Sequence, residues 1–292
     1  LTGKREKKLV NPSIAGKVCI VTGGSRGLGK AMTLALTSAG AKVVAPSHIP
    51  DDIPIIETEV AKTKGNSGGE VHAMATDLRS ADQCANVIKV ALIKFGTIDM
   101  IVNNAGLGMR PFSENFMTKR TKFWEADIGQ VQTTFDTNIM GPFHMATLAV
   151  PHMIKKKWGR IVNVTTSIGT MQRNGFFPYG PSKAALEAAS NIWAEDLADT
   201  GVTCNVLIPG RAADTAIMPE KWRKFGRHHS GKEPVDPAVM GPPILWLASS
   251  DSNKITGQRF EADKWDISIS PTAAATGQMQ PTGFNLRNPE KN

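Results

Sequence analysis

Short apolar runs alternate with longer helix-like stretches along most of this chain, and that alternation restricts the folds it can adopt. Six runs predict strands, at residues 18–22, 42–45, 71–75, 100–103, 160–165 and 203–208. Stretches such as 29–39, 81–95 and 182–197 lie between them and predict helices. Because the strands are continuously apolar, a parallel sheet covered on both faces is favoured. We therefore predict an α/β fold, a single doubly wound parallel sheet flanked by helices, with ligands at the carboxyl ends of its strands.

The length and composition of the chain suit one large domain with added loops. A chain of 292 residues with 41% apolar residues can bury a sizeable core. We assign residues 14–265 to the sheet domain, 1–13 to an N-terminal extension and 266–292 to an irregular C-terminal tail. Two enlarged loop or lid regions interrupt the alternation, the aromatic 107–137 and the basic 211–236. Long irregular insertions in compact domains are usually functional lids or else disordered.

The chain is basic, with a formal charge of +8 and a pI near 9.4. Its basic residues cluster at 4–8, 155–160 and 221–229, without the interleaved aromatic residues of a nucleic-acid-binding pattern. We expect a solvated basic surface and no nucleic-acid partner; the alternative is a positive field that favours an anionic cofactor or substrate. No apolar run approaches the roughly 18 residues of a membrane span, so no membrane partner is expected.

Cysteine usage points away from metal and disulfide chemistry. Cys19, Cys84 and Cys204 form no CxxC pair and no metal-ligand spacing, and two of them lie in predicted buried strands. We interpret all three as reduced structural thiols of a cytoplasmic protein. No bound metal is expected.

A glycine-rich turn follows the first predicted strand. Residues 18–22 lead into TGGSRGLGK, which has glycines at positions 23, 24, 27 and 29 and precedes a helix-forming stretch. Glycine lets backbone amides approach a pyrophosphate closely, and the helix N-terminus adds positive potential. A glycine-rich turn alone is common, but in the first β-α turn of an alternating chain it indicates dinucleotide binding.

Four short motifs, of which the glycine-rich turn is the first, occur in a fixed order along the chain. They are TGxxxGxG at 22–29, NNAG at 103–106, YxxxK at 179–183 and PG at 209–210. Together they resemble the classical short-chain dehydrogenases/reductases, and the resemblance covers roughly residues 14–265. Further matches are Asp77-Leu78 after the third strand, Asn138, Asn205 and ITGQ at 255–258. The resemblance implies a Rossmann-type sheet and an NAD(P)-dependent oxidoreductase.

Tyr179 is the only tyrosine of the chain, and Lys183 follows it by four residues. A free phenol has a pKa of about 10, too high for efficient proton transfer at neutral pH. A lysine one helical turn away faces the same side, and its charge favours the phenolate. In the family this pair is the catalytic machinery, so the resemblance implies that Tyr179 exchanges the proton and Lys183 tunes it. Asn138 resembles the family asparagine that helps hold a water linking the lysine to solvent.

The family's third catalytic residue is usually a serine thirteen residues before the tyrosine. In this chain that position holds Thr166, and Ser167 is one residue away. Neighbouring side chains at a strand end point to opposite sides, so a shift of one residue matters. Threonine carries the same hydroxyl donor and acceptor as serine. We predict that Thr166 is the residue that orients the substrate oxygen.

The resemblance also implies a set of residues that contact the nicotinamide dinucleotide. They are Gly23, Ser25, Arg26, Gly27, Leu28, Gly29, Ser47, His48, Asp77, Leu78, Asn104, Ala105, Gly106, Tyr179, Lys183, Pro209 and Gly210.

The end of the second strand bears on which dinucleotide is used. NAD-preferring members usually carry an acidic residue there, whereas this chain has Ser47 and His48. A carboxylate would repel a 2′-phosphate, and a hydroxyl and an imidazole would accept it. Arg26 matches a position where NADP-binding members place a basic residue, although Asp51 and Asp52 complicate the local charge. NADP(H) is favoured, and NAD(H) is the alternative.

The leading functional hypothesis is an enzyme that interconverts an alcohol and a carbonyl, as a ketone reductase or secondary-alcohol dehydrogenase. Alternatives are an NAD(H)-dependent 3-oxoacyl reductase-like enzyme or polyol dehydrogenase, and a non-catalytic dinucleotide-binding sensor or scaffold. A degenerate sensor would be expected to lose Tyr179 or Lys183 first, and both are present. We also expect a homo-oligomer, a tetramer or dimer, as is common in the family.

The sequence leaves the substrate open. The aromatic segment 107–137 could line a pocket for a bulky substrate or pack against a neighbouring subunit. The cationic stretch 218–232 lies where the family has a mobile lid. It suits an anionic or acyl-carrier-linked substrate, or it is simply a solvated loop.

Overall fold

The computed structural model describes residues 13–220 and 233–283, and eight strands of this part of the chain form one sheet. The strands are β1 (Val18–Val21), β2 (Lys42–Ser47), β3 (Glu70–Ala75), β4 (Met100–Asn103), β5 (Gly159–Val164), β6 (Val202–Ile208), β7 (Gln258–Glu261) and β8 (Gln280–Pro281). Their order is β3-β2-β1-β4-β5-β6-β7-β8, and only β7 and β8 pair antiparallel. The predicted α/β fold class is therefore confirmed. Predictions for residues 1–12, 221–232 and 284–292 lie outside the described residues.

Helices connect the strands and cover both faces of the sheet. They are α1 (Gly27–Ser38), α2 (Asp52–Thr63), α3 (Ala81–Phe95), α4 (Ile128–Phe135), α5 (Gly141–Lys155), α6 (Ile168–Met171), α7 (Tyr179–Asp196), α8 (Gly241–Leu247) and α9 (Pro271–Thr276). A π-helical segment, Asp136–Met140, joins α4 to α5. Within the described residues, no helix is long and apolar enough to span a bilayer.

The continuous apolar character of the strands has a direct cause in the packing. Alternate residues of β1 enter different cores, so that Cys19 packs with Met32 of α1 on one face. Ile20 packs with Val87 of α3 on the opposite face. A strand covered on both faces needs apolar residues at every position, which is why the period-of-two pattern is missing. The three cysteines are buried free thiols, as predicted.

The parallel arrangement aligns the carboxyl ends of the central strands. Asn103 at the end of β4 pairs in register with Asn163 of β5, and their side chains share a 2.8 Å hydrogen bond. Asn163 in turn donates to the Ser190 hydroxyl of α7 at 2.8 Å. The loops that follow β1, β4, β5 and β6 are therefore held at one edge of the sheet, and the predicted functional motifs lie on these loops.

Residues 266–283 form a helix and a strand, whereas we expect an irregular tail from the sequence. Ser270 caps α9 by accepting a hydrogen bond from the Ala273 amide, and β8 extends the sheet beside β7. Ala274 and Ala275 are buried in the same core as Trp246. The helix has six residues, too few for a recognisable hydrophobic period. Strand β7 is also absent from the predicted set, because Arg259 and Glu261 interrupt its apolar pattern.

We predict that Ala275→Arg lowers the melting temperature by several degrees, because it places an unpaired charge in the core. Ala275 is fully buried, and an unpaired buried charge costs several kcal/mol. The control is Ala273→Arg, at an exposed position of the same helix, where substitutions change stability by within about 0.5 kcal/mol. Equal melting temperatures for the two variants, measured by circular dichroism, would contradict the described packing of α9.

Candidate active site

The glycine-rich turn between β1 and α1 is folded so tightly that side chains are excluded from it. A Cβ at Gly29 would lie 2.2 Å from the Gly23 carbonyl oxygen, and Gly23 itself has a φ of +63°. The Ser25 hydroxyl is buried in this turn with no hydrogen-bond partner among the described residues. Helix α1 starts at Gly27 without an acidic residue in its first turn, so its positive end is uncompensated. These features fit the pyrophosphate of a dinucleotide.

A cavity of about 670 Å³ runs along the carboxyl ends of the strands from this turn to α7. Most of the predicted cofactor and catalytic residues line it, namely Gly23, Arg26, Gly27, Leu28, Ser47, His48, Asn104, Ala105, Gly106, Thr166, Tyr179, Lys183, Pro209 and Gly210. Five predicted residues lie outside its wall, Ser25, Gly29, Asp77, Leu78 and Asn138. The structure thus brings the two ends of the predicted site into one continuous space.

The loop after β5 decides between the two neighbouring hydroxyls. Thr166, Ser167 and Tyr179 all line the cavity, and the Thr166 side chain lowers the pKa of the phenol. The Ser167 hydroxyl caps α6, accepting from the Thr170 amide at 3.2 Å and contacting the Thr170 hydroxyl at 2.9 Å. Ser167 therefore holds a helix end, and Thr166 stays the residue predicted to orient the substrate oxygen.

Burial changes the acid–base properties of Tyr179 and Lys183. Lys183 is buried, its Nζ donates to the Val164 carbonyl at 2.8 Å, and burial lowers its pKa to about 8. Burial also raises the pKa of Tyr179, and the Thr166 side chain opposes that shift without overcoming it. The Lys183 ammonium group donates to a backbone carbonyl, and the favourable effect of its charge on the phenolate stays a prediction.

Asn138 lies in the π-helical segment and ties the loop after β4 to α7. Its Oδ1 accepts from the Leu107 amide at 2.8 Å, and its Nδ2 donates to the Leu107 carbonyl at 3.0 Å. Nδ2 also donates to the Ser182 hydroxyl at 2.9 Å. A Cβ at Gly106 would lie 3.1 Å from Asn138 Oδ1 and 3.2 Å from Lys183 Nζ, so these three residues meet beside the cavity. π-Helical segments often occur at functional sites.

Charged side chains surround the ends of β2 and β3. Arg26 forms a bidentate ion pair with Asp52, at 2.6 Å from Nε and 3.0 Å from Nη2. Arg79 forms another with Asp77 and holds the pKa of that carboxyl below its usual value. Burial, and then the charge of Arg26, lower the pKa of His48, so its imidazole is neutral at pH 7. The carboxylates of Asp52 and Asp77 are thus both engaged by arginines.

Two further predicted residues are engaged by the protein itself. Ser47 is buried, and its hydroxyl exchanges hydrogen bonds with the backbone of Ile49. Leu78 packs beneath α5, where a Cβ at Gly141 would lie 3.1 Å from the Leu78 Cβ. These contacts hold the loops after β2 and β3 in place.

The insertion 107–137 divides into two parts. Met109, Phe116 and Met117 line the cavity and pack in an apolar cluster against Tyr179, together with Phe176 and Met218. Phe123 and Trp124, by contrast, are 67% and 69% exposed. The first part of the insertion therefore provides an apolar wall beside the phenol.

Three further residues belong to this site although they are part of none of the motifs in the sequence. Arg173 lines the cavity with its guanidinium 5.1 Å from the centre of the Phe176 ring. Glu187 and Arg259 are buried behind Thr166 and form an ion pair. The spacing of Glu187, four residues after Lys183, is the available signal, since it puts Glu187 on the same face of α7. Among the described residues, no group of three or more His, Cys, Asp or Glu side chains is arranged to hold a metal.

Comparison with known proteins gives one consistent result. Residues 17–225 match the family model described as short chain dehydrogenase. The chain is 31% identical over 259 residues to a 3-oxoacyl-(acyl-carrier-protein) reductase of Thermotoga maritima, covering 86% of this chain and 97% of that protein. A protein of the same description from Synechocystis sp. is 34% identical over 252 residues, with the same two shares. The crystal structure of a short-chain type dehydrogenase/reductase from Mycobacterium marinum has a TM-score of 0.73 at 24% identity, covering 85% of this chain and 94% of that chain.

We predict that Thr166→Ala reduces turnover by about 10²–10³, the usual effect of removing one oxygen-binding donor, whereas Thr166→Ser retains substantial activity. Ser167→Ala is the matched control. It removes a helix cap and should cost about 1 kcal/mol of stability with little loss of turnover. Steady-state kinetics and thermal melts of the three variants check this. Greater loss of turnover from Ser167→Ala than from Thr166→Ala would show that the roles are reversed.

Proposed function

Because this chain belongs to the short-chain dehydrogenase family, whose members are NAD(P)-dependent, we propose that its cavity interconverts an alcohol and a carbonyl with NADP(H). One observation carries the proposal. Thr166 and Tyr179 both line a cavity that extends to the glycine turn. A substrate oxygen at these two hydroxyls and a nicotinamide bound from the glycine turn would therefore occupy one space.

Each of the proposed catalytic residues has its own role in the reaction. The nicotinamide, when bound, supplies the hydride for reduction or accepts it in oxidation. Thr166 orients the substrate oxygen, and Tyr179 donates the proton to it in reduction and removes the proton in oxidation. The raised pKa of Tyr179 keeps the phenol protonated at neutral pH, which suits proton donation. Lys183 keeps its positive charge below a pH of about 8, where it favours the phenolate that forms.

A non-catalytic dinucleotide-binding sensor is the alternative from another functional class. It would use the glycine turn and leave Tyr179 without a partner suited to proton transfer. The presence of Thr166, Tyr179 and the buried Lys183 in one cavity wall favours the enzyme. Turnover decides between them, because both proteins would bind the cofactor.

We predict that the protein reduces members of a ketone panel with NADPH and that Tyr179→Phe abolishes this turnover. The variant should still bind NADPH with nearly the wild-type Kd, because it loses one hydroxyl and keeps the ring. No other tyrosine can substitute, since Tyr179 is the only one. Absorbance of NADPH and its fluorescence titration provide the two measurements. Near wild-type turnover in Tyr179→Phe would contradict the mechanism, and no turnover by the wild type would favour the sensor.

The wall near β2 supports the preference for NADP(H). Ser47 and His48 stand where a carboxylate would select NAD(H), and Arg26 lines the same part of the cavity. Arg26 is bound to Asp52 but its side chain remains 43% exposed, so it can still reach a 2′-phosphate. Asp52 competes with that phosphate for the guanidinium. The preference is therefore set by the balance between the two anions.

We predict that Arg26→Ala raises the KM for NADPH more than that for NADH, and that Asp52→Asn lowers the KM for NADPH. A charge-assisted contact contributes roughly 1.5–3 kcal/mol, so the wild type should prefer NADPH about tenfold or more. Lys30→Ala is the control, because Lys30 is a cation of α1 paired with Glu59 away from the cavity wall. Equal use of both cofactors by the wild type, or no effect of Arg26→Ala, would contradict the proposal.

The residues that line the cavity also favour one class of substrate. An apolar wall beside Tyr179 suits an extended apolar substrate, and Arg173 suits an anionic end. The relatives described as 3-oxoacyl-(acyl-carrier-protein) reductases make a 3-oxoacyl chain one such substrate. The ketone panel tests this when ketones that carry an anionic group at the far end of an apolar chain are paired with neutral analogues of the same length. Lower KM values for the anionic ketones are expected, and lower values for the neutral analogues would contradict the proposed class.

We also propose a cytoplasmic homo-oligomer, a tetramer or dimer. Large apolar side chains are exposed on the helices that cover one face of the sheet, including Ile128 of α4, Phe143 of α5 and Ile192 of α7. Such a surface fits contact with a second copy of the chain. The three free buried thiols are in keeping with a reducing compartment.

Light scattering at micromolar concentration is predicted to give the mass of a dimer or tetramer. Phe143→Glu should shift the mass toward the monomer, because it places a charge in the apolar contact. Ile267→Glu is the control, since Ile267 is exposed and follows Trp265, which packs in the core on the opposite face of the sheet. A monomeric wild-type protein would reject the proposed assembly.

A further inference from the structure

Three polar or charged side chains hold the end of β5 and the two residues after it. Lys183 Nζ donates to the Val164 carbonyl at 2.8 Å. The Thr165 hydroxyl donates to Glu187 Oε2 at 2.6 Å. The Thr166 carbonyl accepts from Arg259 Nη2 at 2.7 Å. Three consecutive residues that lead to the Thr166 hydroxyl are therefore fixed by groups from α7 and β7.

Glu187 and Arg259 form one buried unit. Arg259 Nη1 donates to Glu187 Oε2 at 2.7 Å. The Arg259 side chain is 6% exposed and the Glu187 side chain 2%. Glu187 lies one turn after Lys183 and two turns after Tyr179 on the same face of α7. Arg259 reaches Glu187 from β7. The next residue of β7, Phe260, is buried in the core on the other face of the sheet.

A contribution to stability alone does not explain the contacts that this ion pair makes. Burying two charges costs solvation that their attraction repays only partly, so a buried ion pair is a weak source of stability. Here the arginine uses its planar fork to bind two different groups, the Glu187 carboxylate and the Thr166 carbonyl. A lysine in its place could keep the charge but could not reproduce the fork. The second contact is to Thr166, which lines the same cavity as Tyr179.

We propose that Arg259 and Glu187 are positioning residues that fix Thr166 so that its hydroxyl is directed at Tyr179 and the substrate oxygen. Arg259 holds the carbonyl of Thr166, and Glu187 holds the preceding residue through the Thr165 hydroxyl, which leaves Thr166 little freedom to turn. This role rests on the proposed function for Thr166 and Tyr179. It adds a residue from β7 and a carboxylate from α7 to the site, neither of which touches the substrate.

The arrangement has a consequence for the pH dependence of the reaction. The Thr166 side chain lowers the pKa of Tyr179, against the larger effect of burial. A displaced Thr166 would no longer have that effect, so the pKa of the phenol would rise further. Alcohol oxidation needs the ionised phenol, and its half-maximal rate would therefore move to higher pH.

The test compares Arg259→Lys with Arg160→Lys. Arg160 is a buried arginine near the other end of β5, hydrogen-bonded to Ser249, Ser252 and Asn253 and remote from Thr166. Arg259→Lys should lower kcat by about tenfold or more, since small misplacements of catalytic groups are costly. The KM for NADPH should stay within about twofold, and the pH profile of alcohol oxidation should move to higher pH. Arg160→Lys should lower the melting temperature without either kinetic change.

Wild-type kcat and an unshifted pH profile in Arg259→Lys would overturn the proposal, as would equal kinetic losses in Arg160→Lys. If Arg259→Lys does not fold, Thr165→Val removes only the hydroxyl that binds Glu187 and should lower kcat in the same way. Unchanged kcat in that variant would also overturn it. Absence of turnover by the wild-type protein would instead contradict the proposed function, so the two failures are distinguishable.

Discussion

The register of the parallel sheet sets the distances within the candidate site, because every proposed catalytic or cofactor-binding loop follows the carboxyl end of a strand. Asn103 of β4 lies opposite Asn163 of β5, and Val164 lies opposite Leu207 of β6. A shift of one residue in β5 would put Thr165 or Ser167 at the position that Thr166 occupies. The buried amide chain from Asn103 through Asn163 to Ser190 fixes that register against α7, the helix that carries Tyr179. Chemistry at the cavity therefore depends on backbone pairing beneath it.

Charge in the cavity is largely cancelled in pairs. Arg26 is bound to Asp52, and Arg211 to Asp263 at 2.9 Å. Lys183 and Arg173 line the same cavity without a carboxylate partner in the part of the chain that the structure describes. Lys183 lies beside Gly106, one helical turn after Tyr179, and Arg173 lies over the Phe176 ring. The proposed mechanism and the proposed substrate class use these two cations separately, one for proton transfer and one for recognition.

Much of this site can be predicted from sequence because the relevant signals are local. The six apolar runs correspond to β1 to β6, and counting back from Tyr179 identifies Thr166. Partner choice cannot be predicted in this way, because Arg26 and Asp52 are 26 positions apart and Glu187 and Arg259 are 72 apart. The pKa direction of Tyr179 also depends on burial by residues from several loops. Short elements such as α9 and β8 are stabilised by tertiary contacts and carry no periodic pattern of their own.

The central claim is that Tyr179 transfers the proton beside a bound nicotinamide. Because Tyr179 is the only tyrosine, selectively labelled protein gives a single phenol resonance in NMR spectra, whose pH titration reports its pKa directly. The account predicts that saturating NADP⁺ lowers the pKa of Tyr179, since a positive charge in the cavity favours the phenolate. It also predicts that the reduced cofactor, which lacks that charge on its ring, has a smaller effect. A phenol pKa that is the same in the free protein and in the NADP⁺ complex would contradict the account.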